Sequence, residues 1–336
     1  MRVKREQLLH KLQQVSAGLA SRELLEQSGC FIFESGKIFT FNDEIFCQVD
    51  YDCGIRGAVH ASQLLRVLNK RSDEEIEITC EENSFIIAGK GRKSSVAMNA
   101  EVLLDSSAVD DPAAWNELHS DFGDALEVTQ GSASKDDLHF NMTCLHITPD
   151  FVEACDGFQV TRYTVSTGFV GECMIKKESA DRIIGHEFKL VSETDNWVHF
   201  KKDGLQMSCR RWLVEYPDMD PMLNVQEGRK ATLPGGLAEA IETAEIFSSD
   251  SSTENQVLIE IKDGKMRLRG EGPHGWHEER KKINYKGPML SFFIAPRLMV
   301  EITKRTNDCE ITDNRLKIDA GKFVFVACLA PKEEQQ

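Results

Sequence analysis

The sequence predicts an α+β fold in which one unit, two helices with antiparallel strands, occurs three times. Two observations carry this. A strand–turn–strand segment with period-2 alternation recurs at 30–41, 144–154 and 258–268. After each copy the same order follows: a longer strand region, an amphipathic helical stretch, a second hairpin and a closing strand. The length of 336 residues also suits two or three domains at about 100–200 residues each.

Each repeat opens with a helix. Glu6–Val15 has apolar residues at helical spacing, and so does Gly236–Ala244. The corresponding stretch of the second repeat, Asp121–Val128, carries Gly123 inside it and is the poorest of the three. The first hairpins turn at Ser35-Gly36, Pro149-Asp150 and Asp263-Gly264. The second helices are expected at His60–Lys70, Lys176–Ile184 and Ala295–Arg305, with Pro296 suited to a first helical turn. The second hairpins turn near Glu82-Asn83, Asp195-Asn196 and Asp313-Asn314, and the closing strands are Ser95–Met98, Leu205–Cys209 and Phe323–Ala327. Polar connectors at 105–112 and 224–230 mark the limits of domains 1–113, 114–226 and 227–336.

The composition is that of a globular protein, with 41% hydrophobic and 28% charged residues. No run of about 18 apolar residues is present, so no transmembrane helix is expected. The charged opening Met1–Gln7 has no apolar stretch and cleavage site after it, which argues against a signal peptide. Ten cysteines are scattered without CxxC spacing, and buried thiols in a reducing cytoplasm are the expectation. The net charge of −15 speaks against nucleic-acid binding only as a total. What counts is where the cations sit.

Several stretches resemble the bacterial β-type sliding clamps, the DNA polymerase III beta subunit family. Arg5–Ser16 is similar to the family's first helix, close to REQLLKPLQQVS. Ala154-Cys155-Asp156-Gly157-Phe158 stands where the family has A-T-D-G-H, and Tyr216-Pro217-Asp218 is similar to its F-P-D-Y element. Lys322–Leu329 stands where the family has its last apolar strand. The resemblance covers essentially the whole chain. Phe158 in place of His, and Ala327-Cys328-Leu329-Ala330 in place of Met-Pro-Met-Arg, are departures in the partner-binding region. They imply a divergent clamp, of viral or prophage kind, with altered peptide specificity.

The resemblance implies a non-enzymatic, cofactor-free processivity factor. Its three clamp domains per chain would assemble head to tail with a second copy into a ring. The ring would encircle duplex DNA without reading sequence, serve a replicative polymerase and a clamp loader, and stay off membranes. Ring closure would pair an edge strand of the first domain with one of the partner's third. Helices would line the hole. The second helices supply Arg66, Lys70 and Arg71, then Lys176, Lys177 and Arg182, then Arg297, Lys304 and Arg305. The first helix region adds Arg5, His10, Lys11 and Arg22. Contacts from such residues to phosphates position a protein without specifying bases. By position the family's peptide pocket falls on Phe140, Cys155, Gly157, Phe158, Val160, Pro217, Met222, Val326 and Cys328.

Other constellations carry less. His274 and His277 lack a third metal ligand at a ligating spacing. Gly89–Ser95 lacks the GxxxxGK[ST] order and precedes a strand, so a basic hairpin turn is expected there. Asp156-Gly157 reads as a turn. Two rival functions stand beside the clamp: an enzyme with a dispersed site, and a clamp-fold scaffold or inhibitor that does not encircle DNA.

Overall fold

The computed structural model describes residues 1–23, 25–81, 83–225, 228–248, 257–294, 296–312 and 314–329, without the side chains of Ile294, Arg297, Leu298 and Glu301. Among these residues, 3-10 turns aside, each third of the chain has one order: short strand, helix, four strands, helix, three strands. The first third comprises β1 (Arg2–Lys4), α1 (Arg5–Val15), β2 (Cys30–Glu34), β3 (Lys37–Phe41), β4 (Ile45–Asp50) and β5 (Gly57–His60). It continues through α2 (Ala61–Asn69), β6 (Glu75–Glu81), β7 (Ser84–Gly89) and β8 (Arg92–Asn99). The second comprises β9 (Asn116–Glu117), α3 (Phe122–Thr129), β10 (Cys144–Ile147), β11 (Phe151–Cys155), β12 (Gln159–Thr164) and β13 (Cys173–Lys176). After these come α4 (Lys177–Ile183), β14 (Leu190–Glu193), β15 (Trp197–Lys202), β16 (Leu205–Arg210) and a short extra helix, α5 (Asp220–Leu223). The third comprises β17 (Arg229–Thr232), α6 (Leu237–Ser248), β18 (Val257–Lys262), β19 (Lys265–Gly272), β20 (Gly275–Lys282) and β21 (Leu290–Ile294). It closes with α7 (Pro296–Arg305), β22 (Asp308–Ile311), β23 (Arg315–Asp319) and β24 (Phe323–Cys328).

Local chemistry explains these elements. Ser35 and Gly36 have φ of 51° and 75°, and Asp263 and Gly264 have 51° and 69°. Two successive positive φ values give the two-residue hairpin turn whose twist matches its strands. The turn between β10 and β11 is held by Thr148, whose hydroxyl accepts from the N–H of Asp150 and of Phe151 at 3.2 and 3.1 Å. In α2 the buried residues Ala61, Leu64 and Leu68 make one helical face. In α3, Gly123 lies in the first turn, where it costs little, and the helix forms on buried Phe122, Ala125, Leu126 and Val128. The expected turns at 82 and 313, and the start of the third second-helix at Ala295, fall on positions outside the described residues.

The chain divides into two compact units, and the division does not follow the sequence thirds. Unit 1 comprises 1–120, 168–170 and 185–212. It holds one antiparallel sheet in the order β1-β6-β7-β8-β5-β2-β3-β4-β16-β15-β14-β9. Its core includes Phe31, Phe33 and Phe85 with Leu8 and Leu12 of α1, and a cluster of Phe39, Phe41, Phe46 and Trp197. Unit 2 comprises 121–167, 171–184 and the residues from 213 onward. It holds a sheet in the order β13-β10-β11-β12-β24-β23-β22-β17 and a second in the order β20-β19-β18-β21. Helix α6 lies so close on β19 that a Cβ at Gly270 would meet the Ala244 carbonyl oxygen at 1.9 Å.

Seven cysteines are buried and Cys30 is half-buried, but Cys80 and Cys328 are exposed, which corrects the expectation of buried thiols at those two. Among the described residues no helix is long and apolar enough to cross a membrane.

Gly270→Ala is expected to cost about 1–3 kcal/mol in denaturant unfolding, because the obstacle is backbone. A second expectation concerns pH. His199 is fully buried between Ser208 and Thr194, with its ring nitrogens 2.8 and 3.1 Å from the hydroxyls, and burial pushes its pKa down to about 4. The unfolded chain takes up this proton near pH 6.5, so the stability tied to neutral His199 is complete above that pH and is lost as pH falls towards 4. Between pH 7 and 5 the wild type should lose about 2 kcal/mol more than His199→Gln, measured by urea titration at each pH.

Candidate functional site

Two regions answer to the expected sites: the helices with their cations, and an apolar surface around β12 and β24. Within unit 1, α1 packs on α2; within unit 2, α6 packs on α7, α7 touches α3, and α3 touches α4.

Arg66 and Lys70 stand exposed on and just after α2, away from its buried Leu64 and Leu68. Arg71 does not join them. It is 6% exposed, and its guanidinium donates to the Ile87 carbonyl at 2.8 Å and to Ser94 Oγ at 3.1 Å, with Asp73 at 3.6 Å. Its expected solvent-facing role is therefore corrected: the side chain ties the end of α2 to β7 and β8. Arg5 is similarly engaged, donating to the Asp73 and Leu68 carbonyls at 3.1 and 3.2 Å. His10 is exposed on α1 and Lys11 half-exposed. Lys11 lines an open cleft of about 660 Å³ together with Lys4, Asp50, Asp52 and Glu75. Arg22 is exposed but lies in the loop after α1, so it does not belong to the helix face.

In unit 2, Lys176 ends β13 and holds its ammonium 5.8 Å over the Phe140 ring. Lys177 pairs with Asp181 one helical turn on, at 3.1 Å, while Arg182 is exposed. On α7, Lys304 is exposed, and Arg305 binds Asp124 of α3 at 2.7 Å. The side chain of Arg297 lies outside the described residues. The helices α3 and α6 carry Asp124, Glu127, Glu239, Glu242 and Glu245 and no lysine or arginine. This acid is visible in the sequence, and it sets these two helices apart from the cation-bearing α2, α4 and α7.

An apolar cluster centres on Cys155, Val160, Met219 and Val326, all buried, and half-buried Met142, Tyr216, Met222, Leu223, Val225 and Val324 pack against it towards the surface. The structure thus brings together four expected residues: Cys155, Val160, Met222 and Val326. Gly157, at φ 90°, sits in the turn that links Cys155 to Val160. Asp156 holds that turn by accepting from the N–H groups of Phe158 and Gln159, each at 2.9 Å. Phe158 projects from it, 73% exposed, and its carbonyl accepts from the Cys328 N–H at 2.7 Å. Pro217 is half-buried beside the cluster in sequence, and Phe140 lies in a 3-10 turn that leads towards Met142.

Polar groups fix this surface. Tyr216 stacks on His146 at 4.7 Å and donates to Cys155 Sγ at 3.4 Å. Burial raises the pKa of both the Tyr216 hydroxyl and the Cys155 thiol, so both stay protonated near neutrality. Arg162 bridges Glu153 and Asp220, at 2.8 and 2.6 Å. Arg315 donates to the carbonyls of Pro221 and Met222, at 3.1 and 3.2 Å, which fastens α5 at the rim. An apolar floor with a few oriented polar groups suits a short linear peptide. The sequence does not single out Met142, Tyr216, Met219, Leu223, Val225 and Val324 for this cluster; Leu223 lies in α5 and Met219 caps it, and the repeat pattern does not contain α5.

Solved structures match this architecture end to end. A sliding clamp (DNA polymerase III subunit beta) from Bartonella birtlesii bound to griselimycin superposes with a TM-score of 0.81 at 14% identity, covering 98% of each chain. The putative DNA polymerase III beta subunit from Eubacterium rectale gives 0.78 at 16% identity, and the beta subunit from Thermotoga maritima 0.76 at 15%, again over 98% of each chain. The chain has the fold of the DNA polymerase III beta sliding clamps. No protein-family model and no curated protein matches its sequence. The likeness to the clamps is one of fold, at low identity.

Two variants separate the buried from the exposed cations of this clamp fold. Arg71→Ala should cost about 3–5 kcal/mol, because it strands Asp73 in the interior. Arg66→Ala should stay within about 0.5 kcal/mol. Urea unfolding of both proteins checks the contrast.

Proposed function

We propose that the chain is a DNA polymerase processivity factor. Two copies close head to tail into a ring around duplex DNA, slide along it without reading sequence, and tether a replicative polymerase through the surface around Cys155, Val160 and Val326. The thirds 1–113, 114–226 and 227–336 are its three clamp domains, a clamp loader opens the ring, and the protein works in the cytoplasm without catalysing a reaction. One observation carries this reading: the same element order occurs three times over a chain that matches beta sliding clamps across 98% of both lengths.

On this reading Arg66, Lys70, Arg182 and Lys304, with the half-exposed Lys11 and the exposed His10, supply the DNA-facing positive charge. Arg71 is not among them. The half-buried Lys176, Lys177 and Arg5 contribute less, and the charge of Arg305 is answered by Asp124.

A second reading is favoured by one observation, the acid on α3 and α6. A clamp-fold scaffold that binds proteins and does not encircle DNA would tolerate five carboxylates there.

Native mass with particle images decides between them. A dimeric ring with a hole wider than about 20 Å is expected. A stable monomer, or a dimer without a hole, would sink encirclement. Charge reversal tests the lining: Arg66→Glu with Lys304→Glu should abolish retention on circular DNA and polymerase stimulation. Unchanged stimulation would favour the scaffold. Phe158→Ala should weaken binding of a polymerase-derived peptide about tenfold or more, read by calorimetry, since an aromatic of this exposure has about 1.5–3 kcal/mol to gain on burial.

A further inference from the structure

Both internal joints between repeats obey one rule. The third strand of one repeat pairs with the last strand of the next: β4 with β16 and β12 with β24. Both use the same register. The first residue after the last hairpin turn, Leu205 or Phe323, lies opposite Val49 or Tyr163. The next inward-facing pairs are Cys47 with Met207 and Thr161 with Phe325, and all of these side chains are buried. On the outward face Gln48 meets Gln206, and Arg162 meets Val324.

The rule leaves one third strand and one last strand over. Strand β20 ends its sheet and pairs only with β19, while β8 from Arg92 to Ala97 pairs only with β7, among the described residues. The hairpin registers fix the equivalences. Lys282 stands opposite Lys265, the first residue after its turn, as Asp50 stands opposite Lys37. Lys281 therefore corresponds to Val49 and Tyr163, and Arg92, first after the Lys90-Gly91 turn, corresponds to Leu205 and Phe323. Transposing the register sets Lys281 against Arg92 of a second copy on the inward face, and Arg280 against Lys93 on the outward face. Like charges directly opposite destabilise a strand pair. Glu279 and Glu278 lie diagonally within reach, but each already holds a cation of its own strand: Lys281 at 2.7 Å and Arg280 at 2.9 Å. Two cations per joint remain in excess.

On the ring reading above, the closing joint is β20 against β8 of a second copy in the register of the internal joints; we propose that its facing cations keep that joint openable, where the internal joints are sealed by buried pairs. The proposal rests on the ring reading above. Inward-pointing charge on an edge strand is a known way to blunt pairing, and here it sets how tightly the ring closes. Salt screens like-charge repulsion, over about 10 Å at 0.1 M and 3 Å at 1 M, so self-association tightens as salt rises, opposite to the usual response of a charge-complementary interface.

Sedimentation equilibrium of the full chain tests this at about 50 and 500 mM salt, a range over which screening changes strongly. The dimer dissociation constant should fall about tenfold with salt. R280Q/K281V, which installs the residues of β4, should tighten the low-salt dimer by about the same factor and lose the response. R92E/K93E, at exposed positions of β8, should tighten it from the other strand, and circular dichroism reports whether either variant is folded. A dimer that weakens with salt, or that neither folded variant tightens, overturns the cation brake and leaves the ring reading standing. Absence of any dimer in all three proteins overturns both.

Discussion

The structure depends on backbone pairing between consecutive repeats. No repeat keeps its strands to itself: β2–β5 form one block, and the three strands after the second helix form another with the opening strand. Between the first and second repeats, and between the second and third, the blocks are joined by β4 with β16 and β12 with β24. A strand edge left unpaired is costly when buried and adhesive when exposed. The joints answer this with a continuous hydrogen-bonded sheet sealed by buried pairs such as Val49 with Leu205 and Tyr163 with Phe323. Register is pinned because a one-residue slip would turn these side chains out to water. This explains why the compact units cut across the second third of the sequence: β9 and β14–β16 belong to the sheet of unit 1, and β10–β13 to a sheet of unit 2.

That arrangement also decides what was legible in the residues. The helices could be read because their buried faces recur at helical spacing, as Leu64 and Leu68 do, and the hairpins because Ser35-Gly36 and Asp263-Gly264 are turn dipeptides. Strand partnership could not. Nothing in Phe323–Cys328 names β12 as its neighbour, because an apolar strand fits any apolar edge. The opening strands β1, β9 and β17 are two to four residues long, too short for a period to show. Among the site residues, Cys155, Val160 and Val326 were legible through resemblance, whereas Tyr216 and Met219 join them only through tertiary placement. Arg71 was misread because a helix-terminal arginine has the same sequence signature whether it meets water or the Ile87 carbonyl.

The apolar cluster is held in place from two sides. Its floor is part of the β12–β24 joint, so the backbone that holds the repeats together also sets the spacing of Val160 and Val326. Its rim is fastened by charge: Arg162 between Glu153 and Asp220, and Arg315 on the carbonyls of α5. Phe158, on a turn stiffened by Asp156, is left outside the floor and projects into solvent. An exposed aromatic on a stiff turn loses little conformational freedom when a partner covers it. On the proposed reading, Phe158 offers a partner an apolar ring to bury.

Charge placement reconciles an acidic chain with a nucleic-acid partner on the proposed reading. A clamp must hold the duplex weakly enough to slide, and every phosphate neutralised makes it stickier and more salt-dependent. In unit 2 the cation of Arg305 is shared with Asp124, and Lys177 is shared with Asp181, so the positive charge near those helices is partly answered within the protein. The carboxylates of α3 and α6 work in the same direction, opposing close approach of phosphate to their helices. Arg66, Lys70, Arg182 and Lys304 are exposed, carried by or next to the second helices and spread along the chain in step with the repeat. Sparse, sequence-indifferent cations with interspersed acid would give a shallow potential without a deep minimum at any one DNA position, and topological closure would then supply the retention that affinity does not.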